Sequence, residues 1–274
     1  MRIRLSHLTT YVYETPAKSV IQLLRLTPRS HDGQHVVRWR VEIDADAKLN
    51  KGEDALGNLT HTVYVAGPLS KLTVTVTGEI ETWETHGVVR GGVERFDPQV
   101  FLRETPLTEP SLEIEAFARD AAGPSGDPLA RLHALMSAVH GSVAFDTAPT
   151  STVTTAVEAF TLKRGVCQDL SHVFIAAARA LDIPARYVSG HLARLDGVVE
   201  QEAAHAWAEA FVPGLGWVGF DPANEVCPTP NYIRVAIGLD YLGAAPVRGS
   251  RNGGGREAMD VKLLVTHAAQ QTQA

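Results

Sequence analysis

The residue of this sequence with the clearest chemical potential is Cys167, because its position would activate a thiol. It follows Lys163 and Arg164 and begins a segment, 167–181, whose apolar residues recur at helical spacing. A helix N-terminus presents unpaired N–H groups and about half a positive charge, which favours thiolate over thiol. The two upstream cations add to this potential. We therefore interpret Cys167 as a nucleophile, although a buried cysteine that serves only as a small apolar residue would fit the same position.

A nucleophilic cysteine needs a base and a group that orients the base. His205 begins one predicted strand and Asp221 follows the next, with turn residues between them. A loop with an odd number of residues places both side chains on one face of the hairpin. A loop over 212–214 makes them direct neighbours, at roughly 5 Å, and a loop over 213–215 makes them diagonal neighbours, at roughly 7 Å. An even loop would separate them. Under that condition, the pattern predicts a Cys-His-Asp triad for nucleophilic acyl transfer.

The elements that carry these residues are predicted to form an α+β core over residues 96–274. Ser111 and Asp127 each precede an apolar helical pattern and are predicted N-caps of two further helices. The segment 248–256, with three consecutive glycines, is predicted to be a flexible loop before a final strand. Short strands follow the third helix over 185–189, 205–212 and 217–220.

Residues 1–95 are predicted to form a separate N-terminal antiparallel β domain of sandwich-like architecture. Apolar residues in 37–43 and 72–76 alternate with polar neighbours, which is typical of half-buried strands. Gly57 and Asn58 have the types expected in a hairpin turn. No nucleophile and base form a pair before residue 100. This domain is therefore expected to supply stability or substrate presentation but no catalytic group.

Composition limits the kinds of partner that the chain would bind. The 274 residues, 45% hydrophobic and 20% charged, are typical of a soluble globular protein. No apolar run approaches the ~20 residues that cross a bilayer, and the N-terminus lacks the features of a signal peptide. The net charge of −6 gives no reason to expect nucleic acid or an anionic membrane. The two cysteines exclude a disulfide framework, and the usual zinc spacings are missing. We expect a cytoplasmic protein without a metal or cofactor.

Four stretches closely resemble the bacterial transglutaminase-like family. They are Gly-Val-Cys-Gln-Asp at 165–169, Ile-Pro-Ala-Arg-Tyr-Val-Ser-Gly at 183–190, His-Ala-Trp at 205–207 and Gly-Trp-Val-Gly-Phe-Asp-Pro at 216–222. The opening β region, with Asp-Ala-Leu-Gly-Asn at 54–58, is similar to the N-terminal domain that commonly precedes this family's core. The resemblance implies a papain-like core in which Cys167 is the nucleophile, His205 the general base and acid, and Asp221 the group that orients His205.

The resemblance also implies a reaction class and its substrates. An amide of a peptide or protein would form a thioester with Cys167, and water would resolve it in a protease or a primary amine in a transglutaminase. Hydrolysis of a peptide or isopeptide bond is the favoured prediction, because no calcium-loop signature of the cross-linking enzymes is present. Two alternatives are a non-catalytic peptide-binding or scaffolding module on the same fold, and a metalloprotein that uses the three residues as ligands.

Several neighbours of the triad are candidates for additional functional roles. Trp207 lies two residues after His205 on the same predicted strand, so both side chains are expected on one face. Trp207 fits either a wall of the cleft or a purely structural role. His191 stands where the family has an aromatic residue, which leaves the substrate preference open. His172 lies about 140° around the helix from Cys167 and is interpreted as structural. Asp169 is interpreted as complementing the helix dipole, and Cys227 has no activating context.

Overall fold

Two very long strands organise the N-terminal part of the chain in the computed structural model, which describes residues 1–124, 126–148 and 150–268. Strand β1 spans Arg2–Thr27 and strand β4 spans Leu59–Thr82. They pair antiparallel along most of their lengths, with register shifts after Val12, Ala17 and Leu24 of β1. Their buried residues alternate with exposed ones, as the period of two in the sequence indicates. The antiparallel β character predicted for this region is confirmed.

Two shorter strands pair with successive halves of β4. Strand β2, Gln34–Ile43, pairs with the second half, and strand β3, Ala47–Glu53, pairs with the first half. The turn between β3 and β4 is closed by a hydrogen bond from the Asp54 N–H to the Asn58 carbonyl, at 3.1 Å. Gly57 has a φ of +84° there, a conformation that favours glycine. The predicted hairpin turn is confirmed.

The C-terminal strands return to this first sheet. Strand β13, Val247–Gly253, and strand β14, Glu257–His267, both pair antiparallel with β1. The prediction of a flexible loop over 248–256 is therefore wrong. Strand β13 is mostly exposed and lacks apolar alternation, and it is a strand because the backbone of β1 pairs with it. Only its end and the following glycines have positive φ angles. The domain division at residue 95 stays a prediction, although 247–267 share a sheet with the first 82 residues.

A second antiparallel sheet carries the predicted His and Asp positions. Its order is β12-β8-β10-β11-β5. Its strands are β5, Val88–Val89; β8, Ala185–Leu192; β10, His205–Val212; β11, Gly216–Phe220; and β12, Tyr232–Gly238. Two further short strands, β6 and β7, Ala144–Phe145 and Arg164–Gly165, pair parallel, and β9, Glu200–Gln201, joins the first sheet beside β14.

The helices begin where their capping residues predict. Ser111 accepts a hydrogen bond from the Ile114 N–H, and Asp127 accepts one from the Leu129 N–H, as N-caps do. No helix in the described ranges is long and apolar enough to cross a bilayer. Those ranges contain a 3-10 helix, Pro98–Leu102, and five α-helices: α1, Leu112–Ala122; α2, Pro128–Ser142; α3, Ala156–Leu162; α4, Cys167–Ala180; and α5, Tyr241–Ala244.

Helix α4 is the centre of the second region, and almost every side chain beyond its first turn is buried. It packs against the small side chains of Ala206, Ala208 and Ala210 on β10 within one apolar cluster. The intervening residues of β10 lie on the other face, where Trp207 joins a separate cluster with Trp217. The predicted α+β core is confirmed, with Cys167 at the start of its buried helix.

Candidate active site

The first turn of α4 exposes the Cys167 thiol at a helix N-terminus. Val166 is the N-cap and has no side-chain acceptor, and the Asp169 Oδ2 in the first turn accepts from the Val166 N–H at 2.8 Å. A Cβ on Gly165 would lie 2.6 Å from the Asp169 Cβ, so glycine permits this close approach. Burial raises the pKa of Asp169, and the Val166 hydrogen bond opposes that rise. Asp169 therefore binds the backbone at the start of the helix. Cys167 itself stays partly accessible to solvent.

The two cations that precede Cys167 are used elsewhere. The Lys163 Nζ lies 3.3 Å from the centroid of the Phe160 ring, in a cation-π contact. The Arg164 guanidinium pairs with Asp146 at 3.5 Å. These contacts direct both side chains to Phe160 and Asp146, and the expectation that their charges favour the thiolate stays a prediction.

The β10–β11 hairpin joins His205 to Asp221. Ala208 pairs with Phe220 and Val212 with Gly216, so the loop covers the three residues 213–215. This is the second of the two odd loops that the sequence allows, and it makes His205 and Asp221 diagonal neighbours. The His205 Nε2 and the Asp221 Oδ2 are 2.6 Å apart.

The Asp221 carboxylate is fully buried and accepts five hydrogen bonds. Besides His205, its Oδ2 accepts from the Tyr232 hydroxyl at 2.7 Å and from the Asn224 Nδ2 at 2.7 Å. Its Oδ1 accepts from the N–H groups of Ala223 and Asn224, at 3.0 and 3.3 Å. Burial raises the pKa of Asp221, but the hydrogen bonds from His205, Asn224 and Tyr232 lower it below its usual value. The carboxylate is therefore ionised at neutral pH.

The His205 imidazole lies between the Asp221 carboxylate and the Cys167 thiol. Burial lowers its pKa, but hydrogen bonds with Asp221 and with the Cys167 thiol raise the pKa to about 10. Because Nε2 contacts Asp221, the other ring nitrogen, Nδ1, is left for Cys167. A protonated imidazole beside a thiol stabilises the thiolate. The three predicted residues, Cys167, His205 and Asp221, are therefore brought together in the order that nucleophilic catalysis requires.

We expect this arrangement to make Cys167 much more reactive than Cys227. Burial raises the pKa of Cys227, whereas Cys167 has the helix N-terminus and the imidazolium beside it. Timed alkylation with iodoacetamide at pH 7, read by peptide mass, should modify Cys167 about tenfold faster or more. His205→Ala should slow labelling of Cys167 and leave Cys227 unaffected. Equal rates for the two thiols in the native protein would contradict the interpretation.

Aromatic rings form the wall behind the imidazole. The Trp207 ring is stacked on His205 with centroids 6.2 Å apart, and the Tyr232 ring lies 5.8 Å from His205. A Cβ on Gly190 would lie 2.5 Å from the Trp207 ring, so glycine makes room for the indole. Trp207 is only 2% exposed. Of its two sequence interpretations, the structural one fits this position.

Two histidines that the sequence singled out are buried. His172 accepts a hydrogen bond from the Tyr241 N–H at 3.0 Å, and burial lowers its pKa to about 4. His191 packs edge-on against His7 of the first sheet, with centroids 5.7 Å apart, and burial lowers its pKa well below the usual value. Both are neutral near pH 7. A contribution of His191 to substrate preference stays a prediction without support from exposure.

Sequence reasoning missed Tyr232 and Asn224, which hold the carboxylate of Asp221. The position of Asn224 could have been predicted from the Asp-Pro-Ala-Asn sequence at 221–224. An aspartate commonly forms a turn in which its side chain accepts from the N–H groups two and three residues later, as Asp221 does here. No such pattern indicates Tyr232, because it lies on a different strand, 11 residues away. Across the described ranges, His, Cys, Asp and Glu residues form no group of three that could hold a metal ion.

Two family models match the chain. Residues 115–222 match the transglutaminase-like superfamily, and residues 3–81 match the bacterial transglutaminase-like N-terminal region. The first match includes Cys167, His205 and Asp221, and the second covers most of β1 to β4.

Relatives extend the similarity over the whole chain. An uncharacterized protein of Mycobacterium leprae is 31% identical over 282 residues, covering 98% of this chain and 99% of the relative. An uncharacterized protein of Mycobacterium tuberculosis is 30% identical over 272 residues, covering 90% and 87%. A protein-glutamine gamma-glutamyltransferase of Pseudomonas aeruginosa is 29% identical over 162 residues, which are 50% of this chain but 24% of that protein.

The fold has a solved counterpart. The crystal structure of a candidate cysteine protease from Cytophaga hutchinsonii superposes with a TM-score of 0.80, covering 100% of this chain and 92% of that one. The sequence identity is 19%, so this similarity concerns the fold. It includes both sheets, since the whole of the present chain is aligned.

Proposed function

Because this chain belongs to the transglutaminase-like superfamily, we propose that Cys167, His205 and Asp221 form a catalytic triad that transfers the acyl group of a peptide or protein amide. The observation that carries the proposal is the position of His205. Its imidazole bonds with the Cys167 thiol and, at 2.6 Å, with the buried Asp221 carboxylate. A structural histidine needs one partner, whereas a catalytic one needs both a nucleophile and an orienting group.

In the acylation step, the Cys167 thiolate attacks the carbonyl carbon of the amide and forms a C–S bond. The oxygen becomes an oxyanion, which N–H groups at the start of α4 can stabilise because helix geometry leaves them without a carbonyl partner. The imidazolium of His205 then gives its proton to the leaving nitrogen. The C–N bond breaks, an amine departs, and a thioester remains on Cys167.

In the second step, neutral His205 removes a proton from the incoming nucleophile. Attack on the thioester carbon by water gives a carboxylic acid, and attack by a primary amine gives a new amide. Either reaction returns the thiolate and the imidazolium. Asp221, kept ionised by its donors, holds the imidazole through both steps.

We favour hydrolysis of a peptide or isopeptide bond as the overall reaction. The relatives support both outcomes, because the Pseudomonas protein is a glutamyltransferase and the Cytophaga protein is a candidate protease. The calcium-loop signature of the elaborate cross-linking enzymes is missing from the sequence. The choice depends on whether water or an amine reaches the thioester first.

Mass spectrometry of the whole protein with a library of peptide amides tests the proposal. We expect a transient adduct on Cys167 whose mass equals the peptide acyl group, followed by release of the free acid. Addition of a primary amine should leave the acid as the main product. A dominant amide product would identify a transferase instead. Cys167→Ala is the control, and an adduct that persists in this variant, or none in the native protein with any library member, would contradict the triad.

A further inference from the structure

Strand β12 places Tyr232 against the carboxylate of the triad. The Tyr232 hydroxyl donates to Asp221 Oδ2, the oxygen that also accepts from His205. The phenol is 8% exposed, and burial together with the Asp221 charge raises its pKa above its usual value. It is therefore a hydrogen-bond donor throughout the neutral range.

Strand β12 is the edge of the second sheet, and its outer side has no neighbouring strand in that sheet. The amide of Gln34, on β2, takes the place of a strand beside Arg234. The Gln34 Oε1 accepts from the Arg234 N–H at 2.8 Å, and its Nε2 donates to the Arg234 carbonyl at 2.9 Å. A side-chain amide offers one acceptor and donors in the geometry of a peptide group, so it can complete a ladder at an edge.

A second amide repeats this arrangement further along the same strand. The Asn58 Oδ1 accepts from the Ile237 N–H at 2.8 Å, and its Nδ2 donates to the Ile237 carbonyl at 2.8 Å. Gln34 is 2% exposed and Asn58 is 5% exposed, so water does not compete for these bonds. The Thr82 hydroxyl adds a fifth hydrogen bond, to the carbonyl of Pro230 just before β12, at 2.5 Å. Residues of the N-terminal region thus bind the outer edge of β12 on both sides of the irregularity between Arg234 and Ala236.

Resting on the proposed triad, we propose that Tyr232, through its hydrogen bond to Asp221, sets how strongly this carboxylate holds the His205 imidazolium, and that the amides of Gln34 and Asn58 hold Tyr232 in place through β12. The N-terminal region then supplies no reacting group but fixes one edge of the active site. This arrangement explains why a region without a nucleophile or base is joined so closely to the core.

The sign of the expected effect follows from the charges around His205. The groups that face it are Cys167 from α4, Asp221 and Asn224 after β11, and Tyr232 from β12, with the neutral His191 of β8 nearby. The Tyr232 donor draws charge from the Asp221 oxygen that holds the imidazolium. Asp221 keeps its orientation without Tyr232, because its other oxygen is bound by two backbone N–H groups. Loss of the hydroxyl should therefore stabilise the imidazolium.

The experiment is a histidine NMR titration of the full-length protein, in which His205→Gln identifies the signal. The native His205 should titrate with a pKa of about 10. Tyr232→Phe should move that midpoint upward by about 0.5 to 1 pH unit. Gln34→Ala should move it in the same direction by less, because the tyrosine is displaced rather than removed. In the double variant, Gln34→Ala should add nothing to Tyr232→Phe, since both act through one hydroxyl.

Gln22→Ala is the matched control. Gln22 is a buried amide of the first sheet, on β1, and its deletion should leave the His205 midpoint unchanged. An unmoved midpoint in Tyr232→Phe, or a full additional movement when Gln34→Ala is combined with it, would overturn the inference. If Gln34→Ala does not fold, Tyr232→Phe still decides, because it removes one oxygen atom only. The titration needs no substrate, so failure to cleave any amide would count against the proposed function and not against this inference.

Discussion

Replacing Cys167 by alanine is expected to abolish formation of the acyl-enzyme, and replacing His205 by alanine should come close to abolishing it. Without the thiol no C–S bond can form. Without the imidazole the thiolate loses the cation that stabilises it, and the leaving amine loses its proton donor. The hydrogen bonds of His205 with both Asp221 and Cys167 are the basis of this expectation.

Asp221→Asn should lower the rate of acylation by a smaller factor, on the order of 10–10³. All five hydrogen bonds to this carboxylate come from donors, namely His205, Tyr232, the side chain and N–H of Asn224, and the N–H of Ala223. An asparagine must turn its own NH₂ toward donors in either orientation. The imidazole is then held in the wrong tautomer or position. The loss stays limited, because a thiolate–imidazolium pair is already ionised and depends less on the carboxylate.

Each of the three variants is mixed with a peptide amide, and the mass of the protein is followed over a single turnover. The rates at which the acyl-enzyme forms then show whether the losses rank as expected. Cys227→Ala removes the other thiol and should leave the rate unchanged, since Cys227 has no place in the triad. Circular dichroism identifies variants that fail to fold. A folded Asp221→Asn protein with the full native rate would reduce the triad to a dyad of Cys167 and His205.

The candidate site was largely predictable because its parts are local. The start of α4 at Cys167 follows from an apolar pattern over a dozen residues, and the hairpin follows from two strands separated by Pro-Gly-Leu-Gly. The sequence left two odd loops open. Glycines with φ angles of +84° at Gly214 and +92° at Gly216 accompany the three-residue loop that the structure adopts. Local turn chemistry of this kind selects a register that strand periodicity alone does not.

The supports of the site could not be predicted, because they join distant parts of the chain. Gln34 bonds to Arg234, 200 residues away, and Asn58 bonds to Ile237, 179 residues away. Gln34 belongs to no motif, and the stretch 54–58 that contains Asn58 indicates a turn but not a distant partner. Strand β13 was not predicted for a related reason. Its polar sequence has no strand pattern, and it forms a strand because β1 supplies the backbone hydrogen-bond partners. Pairing between distant segments overrides local preference in both cases.

The largest loss of stability is expected from Glu209→Gln. Glu209 is fully buried on β10 and accepts from the Arg186 Nε at 2.7 Å and from the Arg234 Nε at 2.6 Å. Arg186 also pairs with Glu94 at 2.8 Å. Glutamine would leave Arg234 without its carboxylate and turn an NH₂ toward one of the two guanidinium groups. Breaking a buried pair in this way costs about 3–5 kcal/mol, which lowers the melting temperature by on the order of 10 °C.

The loss should depend on pH in a specific direction. Burial raises the pKa of Glu209, but Arg234 and Arg186 outweigh it and lower the pKa to about 2. A depressed pKa contributes stability above the unfolded value of about 4.5, and that contribution disappears as the pH falls toward 2. Urea unfolding should therefore show the full difference between the native protein and Glu209→Gln at pH 7, and a shrinking difference below pH 4.5. Glu115→Gln, which removes a surface partner of Arg119 at 3.6 Å, should change the free energy of unfolding by about 0.5 kcal/mol or less. A Glu209→Gln protein as stable as this control at pH 7 would show that the buried charges do not hold the face of β10 that carries His205.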